Sequence, residues 1–205
     1  MNLLGRLHRR FVFERRIRVL SALLADLLPR DATVLDVGCG DGSLDRKLLA
    51  HRPDLKLSGI DVQVRADAMI TVGHFDGSRI PFEDRSIDAV MFVDVLHHTE
   101  DPEQLLREGL RVAREVVVLK DHTCDGAFAR PTLRLMDWVG NAPHAVVLPY
   151  NYWREVEWRQ AFERLGGPAS VWITHLRLYP APASWLFDRS LHFVARLAVH
   201  SMEGP

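Results

Sequence analysis

A tight run of glycines near the start of the chain is the feature that most constrains its fold. An apolar stretch, residues 33–37, leads directly into Gly38, Gly40 and Gly42, and residues 43–51 resume the apolar spacing of a helix. Glycines are needed in such a turn because the chain bends sharply and its backbone must approach a ligand without an intervening Cβ. The segment VLDVGCGDGSL therefore predicts a strand, a ligand-binding turn and a helix.

Two details of this turn argue against a dinucleotide loop. Dinucleotide-binding proteins use GxGxxG, whereas the third glycine here is Gly42 and Ser43 stands where the dinucleotide pattern requires a glycine. Asp36 also stands two positions before the first glycine, where a carboxylate would repel a pyrophosphate. A ligand with a cationic end suits this position better.

The rest of the chain alternates predicted strands and helices. Apolar runs at 56–62, 88–93 and 115–119 predict buried strands, and residues 102–113 have helical spacing. This alternation predicts an α/β fold with a parallel sheet and right-handed crossovers. Two final strands are predicted at 170–179 and 191–199, after a predicted helix at 153–165.

Size and composition limit the function classes. With 205 residues, the chain is predicted to form one domain over residues 1–205, and its formal net charge of -1 gives no strong electrostatic case for nucleic acid. The two cysteines, Cys39 and Cys124, lie far apart without CxxC spacing, which fits a reducing cytoplasm. No apolar run approaches the ~20 residues needed to span a bilayer. We therefore expect a soluble cytoplasmic protein.

The glycine turn and three later segments resemble one known family. VLDVGCGDGSL is similar to the first motif of class I S-adenosylmethionine-dependent methyltransferases, and GIDV, FDGSRIPFEDRSIDAV and VDVLHHTEDPEQLLREGLRVA follow in the family's order. The resemblance covers Val34 to about Lys120 and is to the small-molecule branch, methyltransferase type 11-like. It implies a Rossmann-like three-layer α/β/α sandwich with a mostly parallel seven-stranded sheet and an antiparallel last strand. It also implies S-adenosylmethionine as cofactor.

The resemblance also implies a set of cofactor-binding residues. Asp36 is expected to orient the glycine turn and the methionine ammonium, and Asp61 to accept hydrogen bonds from both ribose hydroxyls. Asp76 is expected to face the adenine amino group, with the backbone N–H of Gly77 on a ring nitrogen. The full set, in which the two valines form apolar walls, is Asp36, Gly38, Cys39, Gly40, Gly42, Asp61, Val62, Asp76, Gly77 and Val93.

The methyl acceptor is expected at the carboxyl ends of the strands, where open parallel sheets bind their ligands. His98 and His122 each follow such a strand and are candidate general bases, because imidazole titrates near neutrality; His122 is slightly preferred. The alternative is that both histidines satisfy local backbone groups. Residues 121–152 form a predicted insertion lining the acceptor site. The predicted acceptor-binding residues are His97, Asp121, Trp138, Asn141, Tyr150 and Tyr152.

Two further ligand hypotheses concern metals and membranes. The histidines beside Asp94 and Asp121 could hold a divalent ion, but such a site would want more carboxylates, so no metal is predicted. Residues 1–30 are predicted to form a covering helix crowded with arginines. These side chains would lie in water, or they would contact an anionic membrane or an acidic ligand; the covering helix with solvated arginines explains the pattern more simply.

The predicted function is methyl transfer from S-adenosylmethionine to O, N or C of a small aromatic or apolar molecule. A DNA base is an improbable acceptor because the amino-methyltransferase motif (D/N)PP(Y/F) is replaced by VDVLHH. One alternative is a dinucleotide-binding oxidoreductase. Another is a catalytically silent cofactor-binding partner or regulatory subunit, since binding and turnover are separate properties. The sequence does not indicate an oligomeric state.

Overall fold

The computed structural model describes residues 12–141 and 149–199. A 3₁₀ turn, Leu96–His98, follows the fourth strand. In chain order the other elements are α1 (Glu14–Leu27), β1 (Thr33–Val37), α2 (Ser43–His51), β2 (Lys56–Asp61), β3 (Val72–His74), β4 (Ile87–Val93), α3 (Pro102–Val112), β5 (Ala113–His122), α4 (Ala129–Asn141), α5 (Glu155–Leu165), β6 (Val171–Thr174), α6 (Ser184–Phe187) and β7 (His192–Ala198).

The seven strands form one sheet in the order β3-β2-β1-β4-β5-β7-β6. Strands β1 to β5 pair in parallel, whereas β7 runs antiparallel to both β5 and β6. The predicted fold class, a mostly parallel sheet with an antiparallel last strand, is confirmed. Because β1 lies between β2 and β4, the strand order reverses there, and the carboxyl ends of β1 and β4 border the crevice where such sheets bind ligands.

Apolar side chains cover both faces of this sheet. On one face Leu35 and Val37 of β1 belong to a cluster that includes Trp158 and Phe162 of α5. On the other face, Val34 belongs to a cluster that includes Leu20 and Leu24 of α1. This alternation along β1 is the two-residue period of a strand buried on both sides. Helix α1 thus packs on this face of the sheet, and residues 1–11 of the predicted covering helix lie outside the described residues.

Helix α3 packs closely on β4. Asp101 caps its start by accepting a hydrogen bond from the Gln104 N–H at 3.0 Å, and Pro102 occupies the first turn, where its missing N–H costs nothing. Farther along, a Cβ on Gly109 would lie 2.5 Å from the Phe92 ring. The close contact between helix and strand therefore depends on the glycine.

Two strands begin or end at residues other than the predicted ones. Residues 170–179 form a strand only over Val171–Thr174, because the N–H groups of Leu178 and Tyr179 donate to the Asp188 carboxylate at 3.0 and 3.1 Å instead of joining a ladder. Strand β5 is longer than the predicted run 115–119, since residues 120–122 pair with β7. This extension buries three polar residues at the carboxyl edge of the sheet. None of the helices in the described part of the chain is long and apolar enough to cross a membrane.

Candidate functional site

The glycine turn joins β1 to α2 beside the end of β2. Gly38 has a φ of 80°, and a Cβ there would lie 2.5 Å from Cγ2 of Val95. Gly40 has a φ of 60°, but a Cβ on it would meet no atom within 4 Å. Both positions use the left-handed conformation that glycine adopts without strain. Packing also requires glycine at 38, whereas the backbone at 40 borders open space that a ligand can enter.

Asp61, at the end of β2, holds this turn. Its Oδ2 accepts a hydrogen bond from the Gly40 N–H at 2.8 Å, and its Oδ1 accepts one from the Gln63 N–H at 2.8 Å. A carboxylate oxygen has about two acceptor positions, so each oxygen retains capacity for one more donor. Two acceptor oxygens on one partly exposed carboxylate match the paired hydroxyls of a ribose.

Asp36 forms a buried acidic pair with Asp45 of α2, a residue that the sequence analysis missed. The two residues are 2% and 0% exposed, and neither Asp36 Oδ1 nor either Asp45 oxygen has a hydrogen-bond partner among the described residues. Burial, followed by the charge of Asp45, raises the pKa of Asp36 well above its ordinary value, and burial raises the pKa of Asp45 to about 6. Burial therefore favours the protonated form of these two carboxyl groups, and a cationic group would find an unsatisfied acceptor beneath the turn.

The predicted adenine-binding residues Asp76 and Gly77 follow β3, whose last residue, His74, pairs with Asp61. Asp76 is exposed and accepts hydrogen bonds from the Ser78 and Arg79 N–H groups, which lower its pKa to about 2. Gly77 lies against Val62, because a Cβ on the glycine would be 3.2 Å from Val62 Cγ1. Val62 is 57% exposed, so its apolar side chain is available to contact a ligand.

Two predicted cofactor residues have other surroundings. Val93 packs against the apolar cluster under α1, so it does not belong to the wall formed by Val62; Val95, which covers Gly38, lies at the turn instead. Cys39 lies against β2, since a Cβ on Gly59 would be 2.3 Å from its sulfur. The Cys39 thiol has its pKa raised, first by burial and then by Asp36. It is therefore an uncharged packing group.

The opposite side of the crevice centres on Asp94, which follows β4. Its Oδ2 accepts a hydrogen bond from Arg16 Nη2 at 2.8 Å, and its Oδ1 pairs with the ammonium of Lys120. Lys120 is completely buried, and its Nζ also lies 3.2 Å from Nδ1 of His192. Burial would raise the pKa of Asp94, but Lys120 and Arg16 hold it well below its ordinary value. Asp94 is therefore an ionised carboxylate shared by two cations.

The arginines of α1 correct the expectation that they lie in water. Arg16 contacts Asp94 and donates to the Tyr179 hydroxyl at 2.6 Å, while Arg15 donates to the Arg177 carbonyl oxygen at 3.1 Å. Of the described arginines on this helix, Arg18 is the exposed one. Helix α1 thus directs its central charges towards the protein, so they do not form a membrane-facing stripe.

His97 and Asp121 were predicted to contact the acceptor, but they are 1% and 0% exposed. His97 Nδ1 lies 2.6 Å from Asp121 Oδ1, and its Nε2 lies 3.6 Å from Oδ2 of Asp137 on α4. Burial would lower the pKa of His97, but the two carboxylates raise it to about 10. Asp121 also accepts hydrogen bonds from the Leu96 and His122 N–H groups at 3.0 and 2.7 Å. Both residues therefore connect β5 to the turn after β4.

The two candidate bases differ in access. His122 is 3% exposed and packs against the rings of His97, His192 and Tyr152; burial and Lys120 hold its pKa well below its ordinary value. His98 is partly exposed, and burial followed by the charge of His97 lowers its pKa to about 4. Both imidazoles are neutral at pH 7. The preference for His122 as the acceptor-facing histidine is corrected, because His98 is the more accessible.

The insertion residues are divided between the surface and the interior. Trp138 on α4 is 62% exposed, and Tyr150 is half-buried with the Arg134 guanidinium 4.8 Å from its ring centre. Tyr152 is 4% exposed and donates its hydroxyl to the Asp137 carboxylate. Asn141 ends α4, but its side chain and residues 142–148 lie outside the described residues. A cavity of about 540 Å³ beside this region is lined by residues that include Phe128, Tyr152, Trp153 and Arg154.

Several site residues were missed by the sequence analysis because nothing local indicates their partners. Asp45 and Asp137 lie on helices where an acidic residue is usually a solvent-facing one. Tyr179 and His192 lie near the end of the chain, far from the motifs. The available signal was Lys120, a charged residue directly after the apolar run 115–119, because a charge buried at such a position needs a counter-charge nearby.

An open, mostly parallel sheet whose glycine turn is held by an acidic residue at the end of the next strand defines a Rossmann-like, nucleoside-binding domain. Residues 35–119 match the family Methyltransf_11, described as a methyltransferase domain. The matched stretch contains the glycine turn, Asp61 and Asp76, so it agrees with the predicted resemblance to class I S-adenosylmethionine-dependent methyltransferases. The unsatisfied Asp36 oxygen, the paired Asp61 oxygens and the open space at Gly40 fit this cofactor.

Individual proteins show the same relationship. The chain is 29% identical over 154 residues to the 2-methyl-6-phytyl-1,4-hydroquinone methyltransferase of Synechocystis sp., covering 70% of this chain and 43% of that protein. A solved S-adenosylmethionine-dependent methyltransferase from Aquifex aeolicus superposes with a TM-score of 0.61 at 16% identity, covering 95% of this chain and 93% of that one. A methyltransferase in complex with the Trm112 activator of Haloferax volcanii gives 0.68 at 17% identity, covering 93% and 92%. The chain spans 35% to 43% of the length of the curated relatives it matches.

Proposed function

We propose that the protein transfers the methyl group of S-adenosylmethionine to an O, N or C atom of a small aromatic or apolar molecule. The observation that carries this proposal is the hydrogen bond from the Gly40 N–H to Asp61, beside the unsatisfied carboxyl group of Asp36. It presents acceptors for a ribose and for a cation on the two sides of one glycine turn. A carboxylate for the ribose is shared with dinucleotide-binding proteins, but the buried acid at position 36 favours a cationic amino-acid end over a pyrophosphate.

S-adenosylmethionine, when bound, supplies an activated methyl group, so the chain's own task is alignment. Asp61 binds the ribose and at the same time fixes the turn, which couples the position of the nucleoside to that of the backbone. Asp36 receives the ammonium. Asp94 is held by Lys120 and Arg16 across the crevice, and this ion cluster fixes the end of β4 opposite the turn.

The acceptor class is inferred from the carboxyl edge of the sheet and from the relatives. The turn that carries His98 contacts this region, because the Asn151 N–H donates to the His97 carbonyl oxygen at 3.2 Å, and the cavity lined by Asn151 includes Phe128 and Trp153. Flat aromatic surfaces with polar tips suit an aromatic ring that carries oxygen or nitrogen. The hydroquinone methyltransferase of Synechocystis sp. is a relative whose name describes an acceptor of this kind.

His98 is the acceptor-side histidine in this proposal. It follows β4, is partly exposed and is uncharged at pH 7. A free ring nitrogen can therefore accept a hydrogen bond from a hydroxyl or amino group of the molecule to be methylated. The ring of His122 is enclosed by three other rings, so this residue affects the methyl acceptor only through the residues around it. We therefore expect substitution of His98 to affect turnover more than cofactor affinity.

The test is a calorimetric titration with S-adenosylhomocysteine and its 2′-deoxy analogue. Wild-type protein should bind the deoxy analogue roughly 10- to 100-fold more weakly, as expected for loss of a hydrogen bond to a charged group. In Asp61→Asn this difference should shrink to a few-fold, because the charge that strengthens the bond has gone. Asp67→Asn, an exposed residue on the following loop, is the matched control and should behave as wild type.

Turnover is measured separately, by mass spectrometry of a panel of phenols, quinols and amines incubated with S-adenosylmethionine. Methylation of any member supports the proposal, and the preferred member defines the acceptor class. Binding of NAD with no binding of S-adenosylhomocysteine would reject the proposed function. If removal of the 2′-hydroxyl weakened binding by the same factor in wild type and in Asp61→Asn, the ribose would have to lie elsewhere.

A further inference from the structure

A cluster of buried donor groups lies beside the acceptor edge and is not required to hold S-adenosylmethionine. One ring nitrogen each from His97 and His98 and one carboxylate oxygen of Asp137 lie within 4.8 Å of one another. His97 and Asp137 are 1% and 6% exposed, whereas His98 is partly exposed. The three residues come from the turn after β4 and from α4, elements that the chain brings together only when folded.

Each of the two histidines has one ring nitrogen without a hydrogen bond. His97 Nε2 and His98 Nδ1 are buried without a hydrogen-bond partner among the described residues. An unsatisfied buried polar atom is costly, and a native protein usually compensates it. The two imidazole rings also lie close together, with their centres 3.9 Å apart. Two charged imidazoles would repel each other at this distance, so at most one of the rings carries a proton on both nitrogens.

The groups around the cluster have the arrangement found around metal ligands. Asp121 lies 2.6 Å from His97 Nδ1, so this nitrogen donates its hydrogen to the carboxylate and Nε2 is directed to the Asp137 side. Metal-binding histidines typically donate their other ring N–H to a carboxylate in this way, which fixes the tautomer and the ring orientation. The Tyr152 hydroxyl likewise donates to the Asp137 carboxylate.

A proton shared between His97 and Asp137 is the simplest alternative occupant. It would satisfy His97 Nε2, which lies 3.6 Å from Asp137 Oδ2, and would make His97 a cation between two carboxylates. It would leave His98 Nδ1 unsatisfied, because a proton links only two groups. An ion with at least three coordination positions satisfies both imidazoles and the carboxylate together.

We propose that His97, His98 and Asp137 form a binding site for one divalent transition-metal ion, such as zinc or cobalt. Two imidazoles and one carboxylate are the ligand set that these ions prefer, whereas magnesium and calcium require mainly oxygen ligands. Donor atoms around a tetrahedral zinc ion lie about 3.3 Å apart for bonds of about 2.0–2.1 Å. Donor atoms up to 4.8 Å apart must therefore approach one another by more than 1 Å when an ion binds.

The site goes beyond the proposed methyl transfer. Three protein ligands leave a tetrahedral ion one further position, which is the arrangement of catalytic rather than structural zinc sites. That the ion would serve an oxygen of the methyl acceptor is a role that rests on the proposed function. The binding site itself does not, because the three ligands and their partners are defined without a cofactor or an acceptor.

The test uses the full chain, dialysed against a chelator and then titrated with Co²⁺, Zn²⁺ or Mg²⁺. Wild-type protein should bind one Co²⁺ or Zn²⁺ per chain by calorimetry, should show visible absorption typical of four- or five-coordinate Co²⁺, and should not respond to Mg²⁺. Substitution His98→Gln should weaken Co²⁺ binding at least 10-fold. Substitution Tyr152→Phe, which removes a hydrogen bond to a ligand, should weaken it about 10-fold. The exposed His51 provides the control His51→Gln, which should bind as wild type.

Affinity for S-adenosylhomocysteine, measured on the same samples, shows that each variant is folded. It also separates this proposal from the proposed function. A protein that binds metal but no adenosyl ligand would support the metal site and contradict the proposed function. Absence of Co²⁺ binding in the wild-type protein would overturn the site. Unchanged binding in a folded His98→Gln variant, or preference for Mg²⁺ over Co²⁺, would overturn it as well.

Discussion

Replacing Asp94 by asparagine should destabilise the protein because it removes the counter-charge of a second residue, Lys120. Lys120 is completely buried, and its ammonium pairs with Asp94, while its other close polar neighbour is Nδ1 of His192 at 3.2 Å. Asparagine has nearly the shape of aspartate but carries no charge. The variant therefore leaves a buried ammonium without its counter-charge.

The magnitude follows from the burial of the pair. Removing one partner of a buried ion pair typically costs about 3–5 kcal/mol of unfolding free energy. Two features reduce this value here: the Asp94 side chain is 25% exposed, and burial already lowers the pKa of Lys120, so the lysine can lose its proton. We expect a loss of about 2–3 kcal/mol, which for a chain of this size lowers Tm by roughly 4–12 °C.

The assay is thermal and urea unfolding of a double-mutant cycle with Lys120→Met. In the Lys120→Met background the buried charge is absent, so Asp94→Asn should cost about 1 kcal/mol or less, and the coupling energy should exceed about 1 kcal/mol. The matched control is Glu103→Gln, which breaks an exposed pair with Arg164 and should change stability by less than about 1 kcal/mol. Equal costs for Asp94→Asn in both backgrounds would refute the reasoning.

Two further predictions concern stability. Because the pKa of Asp45 is raised to about 6 in the fold and lies near 4 in the unfolded chain, the folded state binds more protons and loses stability as pH rises between these values. The advantage of Asp45→Asn in urea unfolding should therefore grow from about pH 4 to pH 6 and then level off; a difference independent of pH would contradict this. Gly109→Ala should lower stability by roughly 1–2 kcal/mol, since contact with the buried Phe92 ring outweighs the gain of about 1 kcal/mol in helix propensity. A higher Tm for this variant in calorimetry would refute the packing argument.

The elements that could be predicted from the sequence are those that depend on local spacing. The glycine turn, the strand before it and the helix after it follow from a few consecutive residues, and the turn has the positive φ values that its glycines allow. The covering role of α1 follows from its apolar period. The order of the strands and the antiparallel β7 came from the family resemblance, because no local pattern specifies which strands become neighbours.

The polar contacts of the site could not be predicted, because they join distant parts of the chain. Arg16 meets Asp94 and Tyr179, which are 78 and 163 positions away. His97 and Asp121 carry polar side chains at strand ends, so they were predicted to bind the methyl acceptor, but α4 and the extension of β5 bury them. Sequence gives the chemistry of such a side chain, whereas burial and partner decide whether it contacts a ligand or another residue.

The carboxylates bordering the crevice illustrate this difference. Asp36 is buried near Asp45 and has a raised pKa, Asp61 accepts hydrogen bonds from two backbone N–H groups, and Asp94 is neutralised by Lys120 and Arg16. Only Asp36 therefore retains an unsatisfied buried oxygen on the cofactor side, and it is the one whose ionisation a cationic ligand would favour. The negative charge of Asp94 is already balanced within the protein, so the acceptor side does not compete for that cation. The three residues are all aspartates, but their partners differ. For this reason a cationic ligand is attracted to the Asp36 side of the glycine turn and not to Asp94.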